Sequence, residues 1–278
     1  MYKPMLCKLE EKPWNRQGWI WEPKLDGFRA IAVVNGGTRL FGRTGSEKTD
    51  SFPDLKIQTT KPAVLDGEVI SGSFNDIQHR VNREFQIKQA VKDYPVKFSA
   101  FDILEVDGQS VRNQPLYLRK ELLKAVLIQT ARVAMTEYET DGITLFARMK
   151  ENELEGVVGK ATNSLYLQGK REWVKVKTWQ NAVFAVVGYT LGTGWRESTF
   201  GALVLADADG KYVGSVGTGF DTSDIRGLYA RLKTTHTLCP WKREPEKATW
   251  VKPFAVKIQF LEYTNDGALR FPSFKGVA

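Results

Sequence analysis

At 278 residues the chain is long enough for two compact domains, and its 42% hydrophobic and 26% charged residues are an ordinary globular balance. No apolar run approaches the roughly 20 residues of a membrane helix, Met1 to Glu10 lacks the apolar centre of a signal peptide, and Cys7 and Cys239 match no metal or redox spacing. The net charge of +8 favours a polyanionic partner, and the cysteine usage favours a reduced, cytoplasmic setting.

In chain order, the first two thirds read as mixed α and β. Strands are predicted at Trp19 to Glu22, Ala30 to Val34, Val64 to Ile70, Lys97 to Leu104 and Trp173 to Lys177. Each is short, rich in β-branched or aromatic residues, and bounded by Gly, Pro, Asn or Asp. Helical spacing marks Phe74 to Arg83, Ala147 to Leu154 and Leu118 to Gln129, the last with Leu118, Leu122, Ala125, Val126 and Gln129 on one face. After Thr178 the texture changes. Strands at Phe184 to Thr190, Ala202 to Ala206, Tyr212 to Val216 and Val256 to Tyr263 alternate with glycine-containing turns. A single helix, Asp221 to Leu232, is N-capped by Asp221 or Thr222. Such a run suits a small β-barrel of the OB type. The predicted architecture is α+β: a domain of antiparallel sheets with flanking helices over 1–179, then an OB-fold domain over 180–278.

The run Glu22-Pro23-Lys24-Leu25-Asp26-Gly27-Phe28-Arg29 carries the most information. Lys-x-Asp-Gly-x-Arg arises by chance about 0.002 times in a chain of this length, taking each residue type as roughly 5% common. In extended geometry Ile20, Glu22 and Lys24 share one face, which lines up Glu22 and Lys24 on a pocket wall. A free lysine, with a pKa near 10.4, is an unreactive ammonium at neutral pH, and nearby cations or metal ions release it as a nucleophile. Alone, a lysine near Asp-Gly is usually a surface lysine beside a hairpin turn, and it is the further motifs, in order, that weigh against that reading for Lys24. Lys175 and Lys177 stand two apart on a strand and share a face opposite Val174 and Val176. A solvated strand face remains open for Lys177, less so for Lys175. Gly192-Thr193-Gly194 and Gly217-Thr218-Gly219 fit no phosphate-loop fingerprint and read as barrel turns, and His79 and His236 have no partner at metal spacing.

Taken in order, these motifs resemble the covalent nucleotidyltransferases, and among them the ATP-dependent DNA ligases. The resemblance implies that Lys24 attacks the α-phosphate of ATP to form a lysyl-AMP, with Glu22 and Arg29 of the same motif in the nucleotide site. Phe41-Gly42-Arg43-Thr44-Gly45 is similar to the motif whose arginine contacts phosphate or the nucleotide sugar, which implies that role for Arg43. Leu65-Asp66-Gly67-Glu68 and Glu155-Gly156-Val157-Val158-Gly159-Lys160 resemble the two metal-associated glutamate motifs. They point to Glu68 and Glu155 as ligands of Mg²⁺, or of Mn²⁺ in its place. Phe101 resembles the aromatic that stacks on adenine, and Trp173-Val174-Lys175-Val176-Lys177 the paired lysines beside the α-phosphate. Hard carboxylate oxygens suit Mg²⁺, and two aligned cations suit a phosphate in transfer.

Later segments are similar to the ligase module of prokaryotic end-joining systems. They include Val186-Val187-Gly188-Tyr189-Thr190, Phe200-Gly201-Ala202-Leu203 and Arg270-Phe271-Pro272-Ser273-Phe274-Lys275-Gly276. About twenty residues precede Lys24, without the extra domain of NAD⁺-dependent ligases, so ATP is the expected donor. In the family an Arg-x-Asp-Lys motif that orients pyrophosphate follows the position of Gly276; here Val277-Ala278 follow it, which puts self-adenylation in question. The expected function is ATP-dependent sealing of nicks in duplex DNA by a cytoplasmic monomer, with basic faces on both domains contacting backbone phosphates. An RNA ligase, an RNA-capping guanylyltransferase and a nick-binding protein poor at self-adenylation stay open as rivals.

Overall fold

A computed structural model describes residues 2–81, 87–232, 235–264 and 266–278. The chain divides into two units, Met1–Thr178 and Trp179–Ala278.

In the first unit two sheets face each other. One has four strands, in the order Leu6–Glu10, Arg171–Lys177, Gly156–Ala161, Trp19–Pro23. Alternation along Arg171–Lys177 sends Val174 and Val176 outward, where they are buried with Trp21, Leu145, Met149 and Val157. Leu145 and Met149 come from the helix Gly142–Glu151, whose N-terminus Asp141 caps by accepting from the Thr144 N–H at 2.9 Å. The second sheet runs Val133–Met135, Lys97–Val106, Ala63–Ile70, Phe28–Val34, Thr38–Gly42. Its outer face buries Leu40, Phe52, Leu65, Val69, Phe98 and Ile103 with Ile77 of the helix Phe74–Val81 and Leu123 of the helix Leu116–Val126. Between the sheets lie Met5, Ile31, Val64, Phe101, Leu104, Tyr166 and Trp173. Most pairings are antiparallel as predicted, but Leu6–Glu10 pairs in parallel with Arg171–Lys177, and Val133–Met135 with Lys97–Val106.

The helix predicted from Leu118 spans Leu116–Val126, and its buried face is offset from the predicted one. Leu116, Arg119, Lys120, Leu123 and Val126 are buried while Leu118 is 40% exposed. Two of these buried residues, Arg119 and Lys120, are cations that the predicted apolar face did not include. Two buried carboxylates draw them in: Asp102 takes Arg119 through paired hydrogen bonds of 2.8 and 2.9 Å, and Glu22 takes Lys120. Beyond Val126 the chain turns extended, and Leu127–Ile128 pairs with Gln58–Thr59. The predicted helix at Ala147 begins earlier, at Gly142. For the helix at Phe74, the predicted end at Arg83 lies outside the described residues.

Gly27 sits where no side chain fits. A Cβ there would lie 2.1 Å from the Val69 carbonyl oxygen, because the segment carrying Lys24 passes directly over the Ala63–Ile70 strand. Gly27→Ala is therefore expected to cost about 1 to 3 kcal/mol, measured as a lowered denaturation midpoint at unchanged m-value.

The second unit is a five-stranded antiparallel sheet in the order Tyr212–Val216, Phe200–Ala206, Gln180–Leu191, Thr249–Phe260, Ser273–Val277. The helix Thr222–Leu232 packs Ile225, Leu228 and Leu232 into its core beside Phe184, Phe200, Val256 and Phe274. Asp221 caps that helix, accepting from the Asp224 N–H at 2.7 Å. The strand predicted from Val256 begins at Thr249 and runs through Pro253, which lies in a register shift opposite Val186 and Gly188. A bulge removes the need for the missing N–H, so proline does not end the strand.

Candidate active site

Sheet register assembles the motifs. Across the four-stranded sheet Glu22 pairs with Val158 and Val158 with Lys175. One step on, the Lys24 N–H donates to the Gly156 carbonyl at 2.8 Å, and Gly156 pairs with Lys177. Lys24, Glu155 and Lys177 are thereby brought together from three distant stretches of chain. Glycine is required at 156, where φ is +136° and a Cβ would stand 1.9 Å from the Val176 carbonyl oxygen. In the facing sheet Arg29 pairs with Glu68 and Glu68 with Ser99.

The Lys24 Nζ donates to Glu155 Oε2 at 2.5 Å, and Lys177 reaches Glu155 Oε1 at 3.0 Å. Against the upward push of burial, these two cations hold the Glu155 carboxyl below the usual range. Partial burial and the neighbouring Lys24 lower Lys175. Glu68 lines a cavity together with Lys24, and burial pushes its carboxyl up to about 8 despite the pull of Arg29 and Lys24. The cavity is lined by Glu22, Lys24, Arg29, Glu68, Phe101 and Trp173, among others, with a volume of about 90 Å³.

Phe101 belongs both to the core between the sheets and to the cavity wall, edge-on to Trp173 at 5.9 Å. The Arg29 guanidinium lies 4.9 Å from the Phe101 ring centre and the Lys160 Nζ 4.4 Å. Arg29 is held by Asp66 through bonds of 2.9 and 2.6 Å, and Tyr166 donates to the same carboxylate at 2.5 Å. Glu22 is almost completely buried between Lys120 and Lys160, the latter at 2.6 Å. Burial lowers Lys160, against the opposing pull of Glu22.

Arg43 is placed differently. It follows Gly42, which pairs with Ala30, and stands exposed outside the residues that line the cavity. Sequence reasoning did not single out Lys160, Lys120, Asp66, Tyr166 or Cys7, and Cys7 and Lys160 line the cavity. Asp66 and Lys160 lay inside motifs already recognised. Nothing local marked Lys120 or Tyr166.

No group of three or more His, Cys, Asp or Glu side chains able to hold a metal exists among the described residues. Glu68 and Glu155 nevertheless fit Mg²⁺. Glu155 is bonded to the Lys24 Nζ and Glu68 lines the cavity that Lys24 also lines, and Mg²⁺ is bound by one or two carboxylates together with substrate phosphates and water.

Two facing sheets with a lysine at their edge, followed by a five-stranded sheet around one helix, define a nucleotidyltransferase domain and an OB-fold domain. Residues 4–177 match the sequence profile of the ATP dependent DNA ligase domain, and residues 196–278 that of the ATP dependent DNA ligase C terminal region. The chain belongs to the ATP-dependent DNA ligase family, which uses ATP and a divalent metal.

The chain is 33% identical over 282 residues to the multifunctional non-homologous end joining protein LigD of Mycolicibacterium smegmatis, with 93% of this chain and 36% of that protein covered. It thus spans about a third of that relative's length. It is 29% identical to the SPbeta prophage-derived DNA ligase-like protein LigB of Bacillus subtilis, covering 98% of this chain and 97% of LigB. Among solved structures, a mycobacterial DNA ligase D complexed with ATP and MES superposes with a TM-score of 0.56 at 27% identity, covering 100% of this chain and 95% of that one. A Lig E DNA ligase gives 0.71 at 20% identity with 100% of both chains covered, a likeness of fold.

Proposed function

We propose that this chain seals nicks in duplex DNA, as a cytoplasmic monomer, with ATP as adenylate donor and Mg²⁺ as metal. The convergence of Lys24, Glu155 and Lys177 at one end of the four-stranded sheet, beside a cavity walled by Phe101, Glu22 and Glu68, carries this reading. The cavity is smaller than the roughly 300–1,000 Å³ of a small-molecule pocket, so admitting a nucleotide requires the side chains around Lys24 and Arg29 to move.

Lys24 Nζ, once deprotonated, forms a bond to the α-phosphorus of ATP while the bond to the departing pyrophosphate oxygen breaks. Glu155 accepts a hydrogen bond from that nitrogen and so lies where the lost proton first goes. Lys175 and Lys177 face the same side as Lys24 and offset the charge on the phosphate during transfer. Phe101 offers a ring for the adenine, and Glu22, pinned by two lysines, presents a carboxylate to the base edge. Glu68 and Glu155 would hold the metal, which supplies Lewis-acid neutralisation of phosphate oxygens when bound. The adenylate then passes to a DNA 5′-phosphate, and the 3′-hydroxyl displaces AMP to close the strand. Arg43, exposed, acts in this scheme only on a phosphate or sugar that reaches beyond the cavity.

Labelling with radioactive ATP and, separately, GTP, followed by sealing assays on DNA and RNA nicks, tests the reading. ATP labelling with DNA sealing is the expected outcome; GTP labelling, or sealing confined to RNA, would overturn it. With the +8 net charge and phosphate contacts dominating, nick binding is expected to weaken at least about tenfold between 50 and 200 mM salt. Gel-shift titrations showing salt-independent binding would contradict the phosphate-contact mode.

A further inference from the structure

The four-stranded sheet of the first unit is covered on only part of its outer face. The strand period puts Trp19, Ala161, Lys8 and Glu10 on the same side as Trp21 and Val174. The helix Gly142–Glu151 lies over the Gly156–Ala161 and Trp19–Pro23 strands, and its Leu145 and Met149 bury Trp21, Val157, Val174 and Val176. Past the helix the same face opens into a cleft of about 520 Å³, against about 90 Å³ for the cavity at Lys24. Its lining includes Trp14, Trp19, Leu165, Leu167, Glu10 and Glu172. That volume lies within the roughly 300–1,000 Å³ typical of ligand pockets.

The walls of the cleft are held by packing and hydrogen bonds. Trp14 and Trp19 meet edge to face, with ring centres 5.3 Å apart at 71°, and Trp14 also packs edge-on to Trp21 at 5.1 Å. The neighbouring Asn15 side chain donates to Asp141, the helix cap, at 2.8 Å. Leu165 and Leu167 are exposed on either side of the buried Tyr166, whose hydroxyl accepts from the Met5 N–H at 2.9 Å and donates to Asp66. Two indoles and two exposed leucines in one cleft are apolar surface that water solvates poorly, and such surface marks an interaction site.

The charge of the cleft runs against that of the chain. The protein carries +8, yet the cleft sets the carboxylates of Glu10 and Glu172 against the single ammonium of Lys8. Lys8 reaches Glu172 at 3.8 Å, and Glu10 has no cation partner among the described residues. A carboxylate left over in this way repels a phosphate backbone, so the face is a poor one for nucleic acid. Indole walls, aliphatic lining and a spare carboxylate together match an arginine side chain. Rings and leucines take its apolar stem and planar head, and the carboxylate pairs with its charge. Arginine suits the cleft better than lysine because a guanidinium is the more weakly hydrated cation. Lys8 and Glu10 belong to Leu6–Glu10, the edge strand of the sheet, which pairs only with Arg171–Lys177 among the described residues. An extended segment can therefore lie along its other edge and send a side chain over the cleft.

We infer that this cleft docks a partner protein, which presents an arginine side chain from an extended segment laid along the Leu6–Glu10 edge. The inference does not depend on the nucleotide reading, because the cleft lies on the outer face of the sheet while Lys175 and Lys177 project from the inner one.

The test titrates the full chain with the peptide acetyl-Thr-Val-Arg-Val-Thr-amide and with its citrulline counterpart, which keeps the shape and removes the charge. Calorimetry and the indole N–H signals of Trp14 and Trp19 in nuclear magnetic resonance report binding. The arginine peptide is expected to shift both indole signals and to bind at least about tenfold more tightly than the citrulline one. The double variant Glu10→Gln/Glu172→Gln should weaken the arginine peptide about tenfold at an unchanged melting temperature, since both side chains are exposed. No heat and no indole shift at millimolar peptide would overturn the inference. Equal binding of the citrulline peptide would overturn it as well, leaving an apolar groove without charge recognition. So would displacement of the peptide by a short DNA duplex, which would assign the face to nucleic acid. A wild-type dimer that the double variant breaks would give the cleft to a second copy of the chain instead.

Discussion

Lys24→Ala is expected to abolish covalent capture of AMP, with a drop of at least about 10³-fold in labelling, because no other group replaces a removed nucleophile. Lys24→Arg should fail as completely, since a guanidinium stays protonated and cannot attack. The physical reason is positional as well as chemical. Lys24 is held by its own N–H to the Gly156 carbonyl and by its Nζ to Glu155, whereas Lys175 and Lys177 lie on another strand with different reach. Intact-mass spectrometry after incubation with ATP and Mg²⁺ checks the result. An adduct that persists in Lys24→Ala would show that a neighbouring lysine is the nucleophile. Offered a nick already carrying 5′-adenylate, the same variant should still close the strand, because that displacement needs only the 3′-hydroxyl and bound AMP. A variant equally dead on both substrates would mean that Lys24 does more than carry the adenylate.

The second large effect concerns Glu22 and is read as stability. Glu22 is the shared carboxylate for Lys120 and Lys160, and all three side chains are almost completely buried. Glu22→Ala leaves two ammonium groups in the interior without their counter-charge, a change expected to cost about 3 to 5 kcal/mol. For a unit of this size that corresponds to a fall of roughly 10 °C in its melting temperature. The double variant Glu22→Ala/Lys160→Met should recover part of the loss, since it removes one stranded charge and supplies an apolar chain of similar length. Calorimetry on the three proteins distinguishes charge burial from simple loss of packing. If Glu22→Ala melts within about 2 °C of the wild type, or the double variant is less stable than the single, the buried-charge account is wrong.

Much of the cavity was legible because its parts are short local runs. Glu22, Lys24, Arg29, Glu68 and Phe101 were all named from sequence and line one cavity. Lys175 and Lys177 alternate with two buried valines as the strand period demands. The strands Leu6–Glu10, Thr38–Gly42, Gly156–Ala161 and Ser273–Val277 were not predicted. Their apolar content is low or their glycines many, and they are extended because neighbours pair with them. Arg43 shows the opposite limit: a motif residue whose neighbour Gly42 lies in the sheet, yet whose side chain stands exposed.

Charge is where local reading failed most clearly. The predicted apolar face of the helix at Leu118 did not include Arg119 or Lys120, and nothing nearby in the chain marks them as buried. Their partners, Asp102 and Glu22, lie 17 and 98 residues away in the sequence. The sequence by itself pointed to the class of chemistry, because Lys24, Glu68, Glu155, Lys175 and Lys177 sit in short local runs that resemble the motifs of one family. Only the tertiary structure decided which of those charges face one another. Ion pairing in a low-dielectric interior depends on distance through space, and three strands had to align before Lys24, Glu155 and Lys177 could meet.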